Sequence, residues 1–262
     1  MLLACAASTL LVVPAQAASG GDHLIGHRCR TYDPAVTNED TVAALIDIAS
    51  IPGAWCEVDT WRLADGRQII WHDPTWERVA DPATLPDGIQ PTDAVQDATW
   101  DQVSQIRTKG GAPVARLTQM IDASATYGVP LIVETQNPLL NASKFVDYAS
   151  AQGASVRYYQ APSKTCETPS IDRLRDAGAV VGIKINDNPI CSLTPWQIQN
   201  KGASFVTAPQ SLITYGLVGA LRWWGVDVYA RWASAYTAQD LIDLGAVRVL
   251  VDDPTEAVTW FG

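Results

Sequence analysis

Short apolar runs alternate with longer amphipathic segments along most of the chain, from residue 24 to the C-terminus. The short runs contain many β-branched residues and are apolar at nearly every position, which is typical of parallel strands covered on both faces. They predict strands at 24–27, 55–59, 130–134, 155–159, 180–185, 205–208, 227–230 and 247–251. The remaining segments have helical periodicity and predict helices at 39–50, 117–127, 142–151, 170–177, 195–201, 212–224 and 238–244, and a last one that begins at Pro254 after an Asp253 cap.

The strand–helix units predict an α/β fold of the (β/α)8 TIM-barrel type. An open doubly wound sheet is the alternative, but the Gly-rich turn that follows the first strand of many such folds is missing from this sequence. Two segments interrupt the alternation after the second strand. Residues 64–67 predict a turn and 68–71 a short strand, which together form an inserted hairpin. Residues 74–116 are rich in Pro, Asp and Thr, and we expect this long insertion on the C-terminal face, where such loops usually serve the site.

The N-terminus has the pattern of a secretory signal peptide. Residues 1–17 contain an apolar run and end in the small-x-small cleavage pattern of 15–17, although no basic residue precedes Arg28. A buried N-terminal helix is the alternative, whereas a membrane span is disfavoured because Pro14 interrupts a run that is already short. We therefore expect a signal peptide at 1–17, a single barrel domain at 18–262, and a secreted or periplasmic protein without stable membrane insertion.

The cysteine count fits an exported protein. Cleavage of the signal would leave four cysteines, an even number that predicts two disulfides with three possible connectivities: Cys29, Cys56, Cys166 and Cys191. Sequential pairing, Cys29 with Cys56 and Cys166 with Cys191, is the preferred arrangement. Each bond would close a loop of about 25 residues and stabilise the fold by roughly 3–4 kcal/mol. Four buried free thiols are the alternative.

Composition and charge narrow the possible functions. Hydrophobic residues make up 47% and charged residues 18% of the chain, which is typical of globular proteins. There are 18 Lys and Arg against 28 Asp and Glu, for a net charge of −10. Nucleic acid is therefore not an expected partner, and long-range attraction to anionic membranes is disfavoured. The oligomeric state stays open, with a monomer favoured.

Acidic side chains end two neighbouring strands of the predicted barrel. Glu57 and Asp59 share one face of the second strand, since alternate strand residues point the same way, and Glu134 ends the next barrel strand. Three carboxylates at one place would repel each other unless a cation lies among them, and oxygen ligands favour Mg²⁺ or Ca²⁺. His27 and His72, two of only 3 histidines, are expected at the same rim and suit acid/base catalysis beside a metal. Each residue alone is more often structural or solvated, so the combination carries the prediction.

The order of these motifs resembles that of the glycerophosphodiester phosphodiesterase family. The matching segments are His27-Arg28-Cys29, Glu39-Asp40-Thr41, Glu57-Val58-Asp59, Asp65-Gly66, His72-Asp73, Glu134-Thr135-Gln136 and Val251-Asp252-Asp253-Pro254. The resemblance implies a barrel, one divalent cation (Ca²⁺ or Mg²⁺) held by Glu57, Asp59 and Glu134, and an acid/base pair of His27 and His72. It also implies hydrolysis of glycerophosphodiesters to glycerol phosphate and an alcohol through a cyclic phosphate, with Arg28 and the metal offsetting phosphoryl charge.

Two positions depart from the family pattern. Cys29 stands where the family has Gly, which suggests that the first barrel loop is tied to Cys56. Gln136 stands where the family has a Lys that helps bind phosphate, and a neutral amide does not stabilise that charge in the same way. Lys184, at the end of a later strand, is a candidate for the missing cation, and a solvated strand-end Lys is the alternative.

The chain has 10 Trp against 3 Phe, and several Trp residues lie close to the predicted site. Trp61, Trp71 and Trp232 are candidates to line its mouth, which would suit a lysolipid or another bulky alcohol on the phosphate; otherwise they fill space as Phe does elsewhere. The alternatives to a glycerophosphodiester phosphodiesterase are a lysophospholipase D or sphingomyelinase D-type phospholipase on the same barrel, a phosphatidylinositol-specific phospholipase C, and an inactive barrel that binds phosphoesters or lipid.

Overall fold

A computed structural model describes residues 20–30, 38–186 and 191–261, and within these ranges eight parallel strands close into a barrel. The strands are β1 (Leu24–Gly26), β2 (Trp55–Arg62), β3 (Gln68–Ile70), β4 (Leu131–Thr135), β5 (Val156–Gln160), β6 (Val180–Lys184), β7 (Phe205–Pro209), β8 (Asp227–Arg231) and β9 (Arg248–Val251). Strands β1, β2 and β4–β9 form the closed ring, in which β1 pairs with both β2 and β9. Strand β3 lies outside the ring, antiparallel to β2. The predicted (β/α)8 barrel with its inserted hairpin is confirmed, whereas the signal peptide at 1–17 lies outside the described residues.

The helices occupy the intervals that the sequence predicts, with one short addition. They are α1 (Val42–Ile48), α2 (Trp100–Val103), α3 (Leu117–Tyr127), α4 (Ala142–Gln152), α5 (Pro169–Asp176), α6 (Pro195–Asn200), α7 (Tyr215–Trp223), α8 (Ala238–Asp243) and α9 (Pro254–Ala257). The addition, α2, lies in the long insertion. Helix α1 begins three residues later than predicted because Asp40 has a left-handed backbone with a φ of 58° and Thr41 caps the helix by accepting from the Ala44 amide. The predicted Asp253 cap of α9 is confirmed.

The barrel has an apolar interior below the C-terminal ends of its strands. Six buried side chains form this interior: Ile25, Ile132, Tyr159, Phe205, Tyr229 and Leu250. The Phe205 ring leaves no room beside β6, because a Cβ atom at Gly182 would clash with it. A larger core fills the space between the outer face of the strands and the helices. The closed interior confines bound molecules to the C-terminal end of the strands, as in other barrels of this type.

The long insertion after β3 has a small core of its own. Trp71 and Trp76 lie at its centre with their rings 5.2 Å apart and pack with apolar residues of β3 and α2. These two side chains are 2% and 0% exposed. The insertion is therefore a packed unit with its own apolar core.

Two disulfides join the same cysteine pairs that sequence analysis prefers. The Cys29–Cys56 bond ties the loop after β1 to β2, with a Cα–Cα distance of 4.7 Å, and Cys166–Cys191 joins two loops across 5.3 Å. Both distances lie in the normal range. The pair of bonds indicates an oxidising environment. Among the described residues, none of the helices has the length and apolar character needed to cross a membrane.

Candidate active site

Three acidic side chains converge inside the C-terminal end of the barrel. Glu57 and Asp59 lie on β2 at alternate positions, and Glu134 on β4 is the register partner of Asp59. The three residues are 1%, 1% and 6% exposed, and one oxygen atom from each lies within 4.8 Å of the other two. Strand alternation and parallel pairing thus bring together the three carboxylates that the sequence predicts as metal ligands.

The cluster has the electrostatic character of a cation site. Burial, followed by the negative charges of Glu57 and other nearby carboxylates, raises the pKa of Asp59 well above its usual range. The Oδ2 atom of Asp59 is buried and has no hydrogen-bond partner among the described residues, while Oδ1 accepts from the Gln136 amide. Three buried carboxylates, one of them with an oxygen that accepts no hydrogen bond from the described residues, fit a hard divalent cation such as Ca²⁺ or Mg²⁺.

Two further side chains orient the carboxylates. The hydroxyl of Tyr159, on β5, lies 2.7 Å from Glu57 Oε1 and 2.9 Å from Glu134 Oε2, and it donates to one of them at a time. Lys184, at the end of β6, places Nζ 2.7 Å from both oxygens of Glu134. The candidate phosphate-binding Lys184 is therefore part of the same cluster as the carboxylates, and its ammonium group is the positive charge closest to Glu134 among the contacts that the structure describes.

Both candidate catalytic histidines are held by carboxylates. His27 follows β1 and its Nδ1 lies 2.7 Å from Asp252 Oδ1, which follows the neighbouring strand β9. His72 follows β3 and its Nδ1 lies 2.6 Å from Asp73 Oδ1. An aspartate acceptor requires a proton on each Nδ1, which leaves each Nε2 for proton exchange with a substrate. Burial lowers the pKa of His72, although the hydrogen bond to Asp73 opposes this effect.

A buried glutamate connects the arginine beside the carboxylates to the arm that carries His72. Glu39, only 1% exposed, accepts from Arg28 at 2.9 Å and from Arg78 at 2.9 Å, and Arg78 also donates to Asp73 at 2.6 Å. Burial by itself would raise the pKa of Glu39, but the hydrogen bonds from Arg78 and the charges of both arginines outweigh it and hold the pKa below its usual value. This network fixes Arg28 and His72 relative to each other.

Arg28 has a backbone conformation that depends on its surroundings. Its φ of 56° and the φ of 53° at Cys29 lie in the left-handed region, where non-glycine residues are strained. The same turn directs the Arg28 backbone amide at Glu57 Oε2, 2.9 Å away. Its guanidinium Nε lies 3.8 Å from Asp59 Oδ2. The side chain expected to bind phosphate therefore lies beside the carboxylate cluster.

Some residues of the site carry no clear signal in the sequence. Tyr159 ends a predicted strand like any core aromatic, and its position next to Glu134 depends on the pairing of β4 with β5. Asp252 appears in the sequence only as part of a matching segment, and strand adjacency explains its contact with His27. Arg78 comes from the insertion and reaches Glu39 across 39 residues, a contact that local patterns do not reveal.

The three tryptophans expected at the mouth differ in position. Trp61 is partly buried and its Nε1 donates to the His72 carbonyl at 3.0 Å. Trp232 is 49% exposed in the loop after β8, with the Arg231 guanidinium 4.6 Å from its ring centre. Trp71 packs inside the insertion core and donates to the Thr75 carbonyl, which is a structural position. Trp61 and Trp232 remain candidates for the mouth.

This geometry occurs in a barrel that closely resembles solved enzymes. The fold is that of the glycerophosphodiester phosphodiesterases. A phosphodiesterase from Oleispira antarctica in complex with the product sn-glycerol-3-phosphate superposes with a TM-score of 0.72 at 17% identity, covering 91% of this chain and 96% of that one. Glycerophosphodiester phosphodiesterases from Parabacteroides distasonis (TM-score 0.71, 15% identity, 90% and 95% covered) and Agrobacterium tumefaciens (0.69, 17%, 90% and 99%) are similar as well. The sequence itself matches no protein-family model and no curated protein.

Proposed function

We propose that this protein is a secreted, metal-dependent phosphodiesterase that hydrolyses glycerophosphodiesters to glycerol phosphate and an alcohol. The observation that carries the proposal is the cluster of Glu57, Asp59 and Glu134, flanked by two carboxylate-held histidines at the C-terminal end of the barrel. The similar Oleispira antarctica enzyme binds sn-glycerol-3-phosphate as its product. Lysolipid diesters are included among the proposed substrates because aromatic and apolar residues border the same end of the barrel.

Glu57, Asp59 and Glu134 would hold one divalent cation, either Ca²⁺ or Mg²⁺. When bound, the cation supplies positive charge that polarises a phosphoryl oxygen. Arg28 lies next to Asp59, and its guanidinium suits a second phosphoryl oxygen. Lys184 reaches the same cluster from β6 and supplies the cationic group that Gln136 lacks. The chain thus provides two fixed positive side chains for a phosphodiester.

The two histidines would exchange protons through their free Nε2 atoms. In the first step, one histidine accepts the proton of a substrate hydroxyl whose oxygen attacks phosphorus, and the other donates its proton to the leaving alcohol as that P–O bond breaks. The product is a cyclic phosphate. In the second step, water attacks phosphorus and gives its proton to the second histidine, while the first returns its proton to the hydroxyl released on ring opening. Both histidines then regain their starting states.

Export through a signal peptide at 1–17, leaving a single domain at 18–262, is part of the same proposal. The support is the pair of disulfides, because disulfides form and persist mainly in oxidising compartments. Mass spectrometry of the protein recovered from outside the cytoplasm tests both points. We expect a mass that begins at residue 18 and a 4 Da increase on reduction. A full-length cytoplasmic protein would contradict the proposal.

Phosphorus NMR of purified protein incubated with glycerophosphocholine tests the reaction. We expect glycerol phosphate to accumulate with Ca²⁺ or Mg²⁺, a transient cyclic phosphate, and no turnover after thorough chelation. His27→Ala and His72→Ala should each reduce turnover strongly. Turnover that persists in both variants would refute the acid/base roles, and binding without turnover would favour an inactive phosphoester-binding barrel.

A further inference from the structure

A largely apolar cavity of about 420 Å³ lies at the C-terminal end of β6, next to Lys184. Its apolar wall consists of Pro162, Ile183, Ile185, Leu193, Leu212 and Leu217, which come from the ends of β5, β6 and β7 and the helices that follow. The volume is in the range of small-molecule sites, and the polar residues of the lining, Lys184, Asn186 and Ser192, leave most of the wall apolar. The cavity is therefore suited to an apolar part of a ligand.

Lys184 connects this cavity to the catalytic centre. It lies in the cavity wall, and its Nζ is 2.7 Å from Glu134. Because strand residues alternate, Ile183 and Ile185 face the helix layer while Lys184 faces the barrel interior. The cavity and the carboxylates therefore lie on opposite sides of β6, which ends at Lys184. A ligand with a phosphate at the carboxylate cluster would reach the cavity by passing over this C-terminal end of the strand, beside Lys184.

The wall of the cavity is held in place by neighbouring loops. Arg231, 3% exposed at the end of β8, donates to the carbonyl of Ile185 and to the side chain of Asn186. Cys191 is anchored to Cys166 by a disulfide two residues before Leu193. These contacts brace the β6 side of the cavity, which reduces the entropy cost of binding a chain there.

Exposed aromatic residues lie in the segments that follow β6, β7 and β8, the first two of which also supply cavity residues. Trp196, Tyr215, Trp232 and Tyr236 are 55%, 73%, 49% and 93% exposed and follow β6, β7 and β8 in turn. Residues 191–200, 209–219 and 232–239 contain no Asp, Glu, Lys or Arg, although charged residues form 18% of the chain. Tyr and Trp combine an apolar body with a polar tip and are favoured where water meets lipid. The rim thus suits the approach of a molecule with an aliphatic chain.

We propose that this cavity is a subsite for the single aliphatic chain of a zwitterionic lysophospholipid whose phosphodiester lies at the carboxylate cluster. The proposal rests on the proposed function and defines its substrate class. The net charge of −10 disfavours an additional anionic group on the lipid, which makes a zwitterionic head group the better match. Each methylene group that enters the cavity should increase kcat/KM by up to about fourfold, equivalent to ~0.8 kcal/mol, until the cavity is filled.

The test is a chain-length series of lysophosphatidylcholines, assayed below their micelle concentrations, with glycerophosphocholine as the reference without a chain. In the unaltered protein, we expect kcat/KM to rise with chain length. In Leu212→Glu, the ratio of kcat/KM for a long-chain lysophosphatidylcholine to kcat/KM for glycerophosphocholine should fall at least tenfold. Leu212→Met, which keeps the volume and polarity of the wall, should retain the ratio, as should Ile46→Glu on an exposed site of α1. A ratio that is independent of chain length in the unaltered protein, or unchanged in Leu212→Glu, would overturn the subsite.

A failure of the subsite and a failure of the proposed function give different results. Turnover of glycerophosphocholine without any chain dependence refutes the subsite alone. If no diester is hydrolysed, the proposed function is refuted, and calorimetry with alkylphosphocholines of six to twelve carbons then tests the cavity by itself. Affinity that rises with chain length and falls in Leu212→Glu supports the subsite, and equal or undetectable affinities across the series overturn it.

Discussion

Replacing Lys184 with Met tests whether a lysine on β6 supplies the positive charge for phosphate binding. Met keeps the length and apolar body of the side chain and removes the ammonium group that lies 2.7 Å from Glu134. A charge-assisted hydrogen bond to a phosphoryl oxygen contributes ~1.5–3 kcal/mol, so kcat/KM should fall about 10- to 150-fold. Lys184→Arg keeps the charge and should lose much less.

The same substitution should have the opposite effect on the cation. The ammonium group of Lys184 repels a divalent ion at the carboxylates and competes with it for Glu134, so its removal should tighten Ca²⁺ or Mg²⁺ binding by about tenfold, or ~1.4 kcal/mol. Isothermal titration calorimetry measures this affinity, and steady-state kinetics measure kcat/KM at saturating cation. A substitution that merely damaged the fold would weaken both properties, whereas we expect them to change in opposite directions.

A second substitution connects Lys184 to the position that lacks a lysine. In the Lys184→Met background, Gln136→Lys places the charge just after β4, next to Asp59, where the resembling family has it. We expect it to recover part of the lost kcat/KM. The hypothesis that Lys184 compensates for the missing lysine at position 136 is refuted if Lys184→Met reduces kcat/KM less than about threefold, equivalent to ~0.7 kcal/mol. It is also refuted if the affinity for the cation falls together with activity.

Three further predictions concern the charges and the backbone of the site. Asp59→Asn removes the charge repulsion with Glu57, so the Tm of this variant in EDTA should be about 2–6 °C higher than that of the unaltered protein. Added Ca²⁺ or Mg²⁺ should no longer raise the Tm of the variant. Scanning calorimetry measures both, and a lower Tm of the variant in EDTA would contradict the prediction. Glu39→Gln should destabilise the fold by ~2–3 kcal/mol at pH 7, toward the low end for a buried pair because one partner is half exposed. Because the pKa of Glu39 is held below 4.5, the difference in unfolding free energy between the unaltered protein and Glu39→Gln should reach its full size above pH 4.5. It should disappear as the pH falls through the lowered pKa. Urea unfolding measures this difference, and an equal value at all pH values would refute the prediction. In a background where Cys56 is replaced and the disulfide is absent, Cys29→Gly should be more stable than Cys29→Ala by ~1–2 kcal/mol in urea unfolding. The reason is that only Gly adopts a φ of 53° without strain. Equal stabilities of the two variants would contradict this.

Periodicity along the chain was sufficient to predict the barrel and its acidic cluster. Eight apolar runs separated by helical segments have few compact solutions, and parallel pairing places their C-terminal ends together. Glu57 and Asp59 share a face because they are two residues apart on a strand, and Glu134 joins them through strand pairing. The positions of these three side chains follow from short-range rules and one topological assumption.

Contacts that depend on the insertion were not predictable in the same way. The insertion has no repeating pattern, and its fold depends on burying Trp71 and Trp76 together. Trp71 is a neighbour of His72 in the sequence, but consecutive residues diverge, and the tryptophan packs in the insertion core instead of at the mouth. Arg78 reaches Glu39 only because that core is in place. Sequence proximity to a catalytic residue is therefore a weak guide to the position of a side chain in an irregular segment.

The loop after β1 shows how this chain uses a cysteine where the resembling family has glycine. A left-handed turn is needed there, because it directs the Arg28 amide to Glu57 and the guanidinium toward Asp59. At Cys29 this conformation costs ~1–2 kcal/mol relative to glycine. The disulfide to Cys56 closes a loop with a sequence separation of 27 and contributes ~3–4 kcal/mol, which exceeds that cost. Cys56 directly precedes Glu57, so the same covalent bond also fixes the distance between the Arg28 turn and the strand that carries the candidate metal ligands. The replacement of glycine by cysteine at position 29 therefore couples the stability of the fold to the geometry of the site.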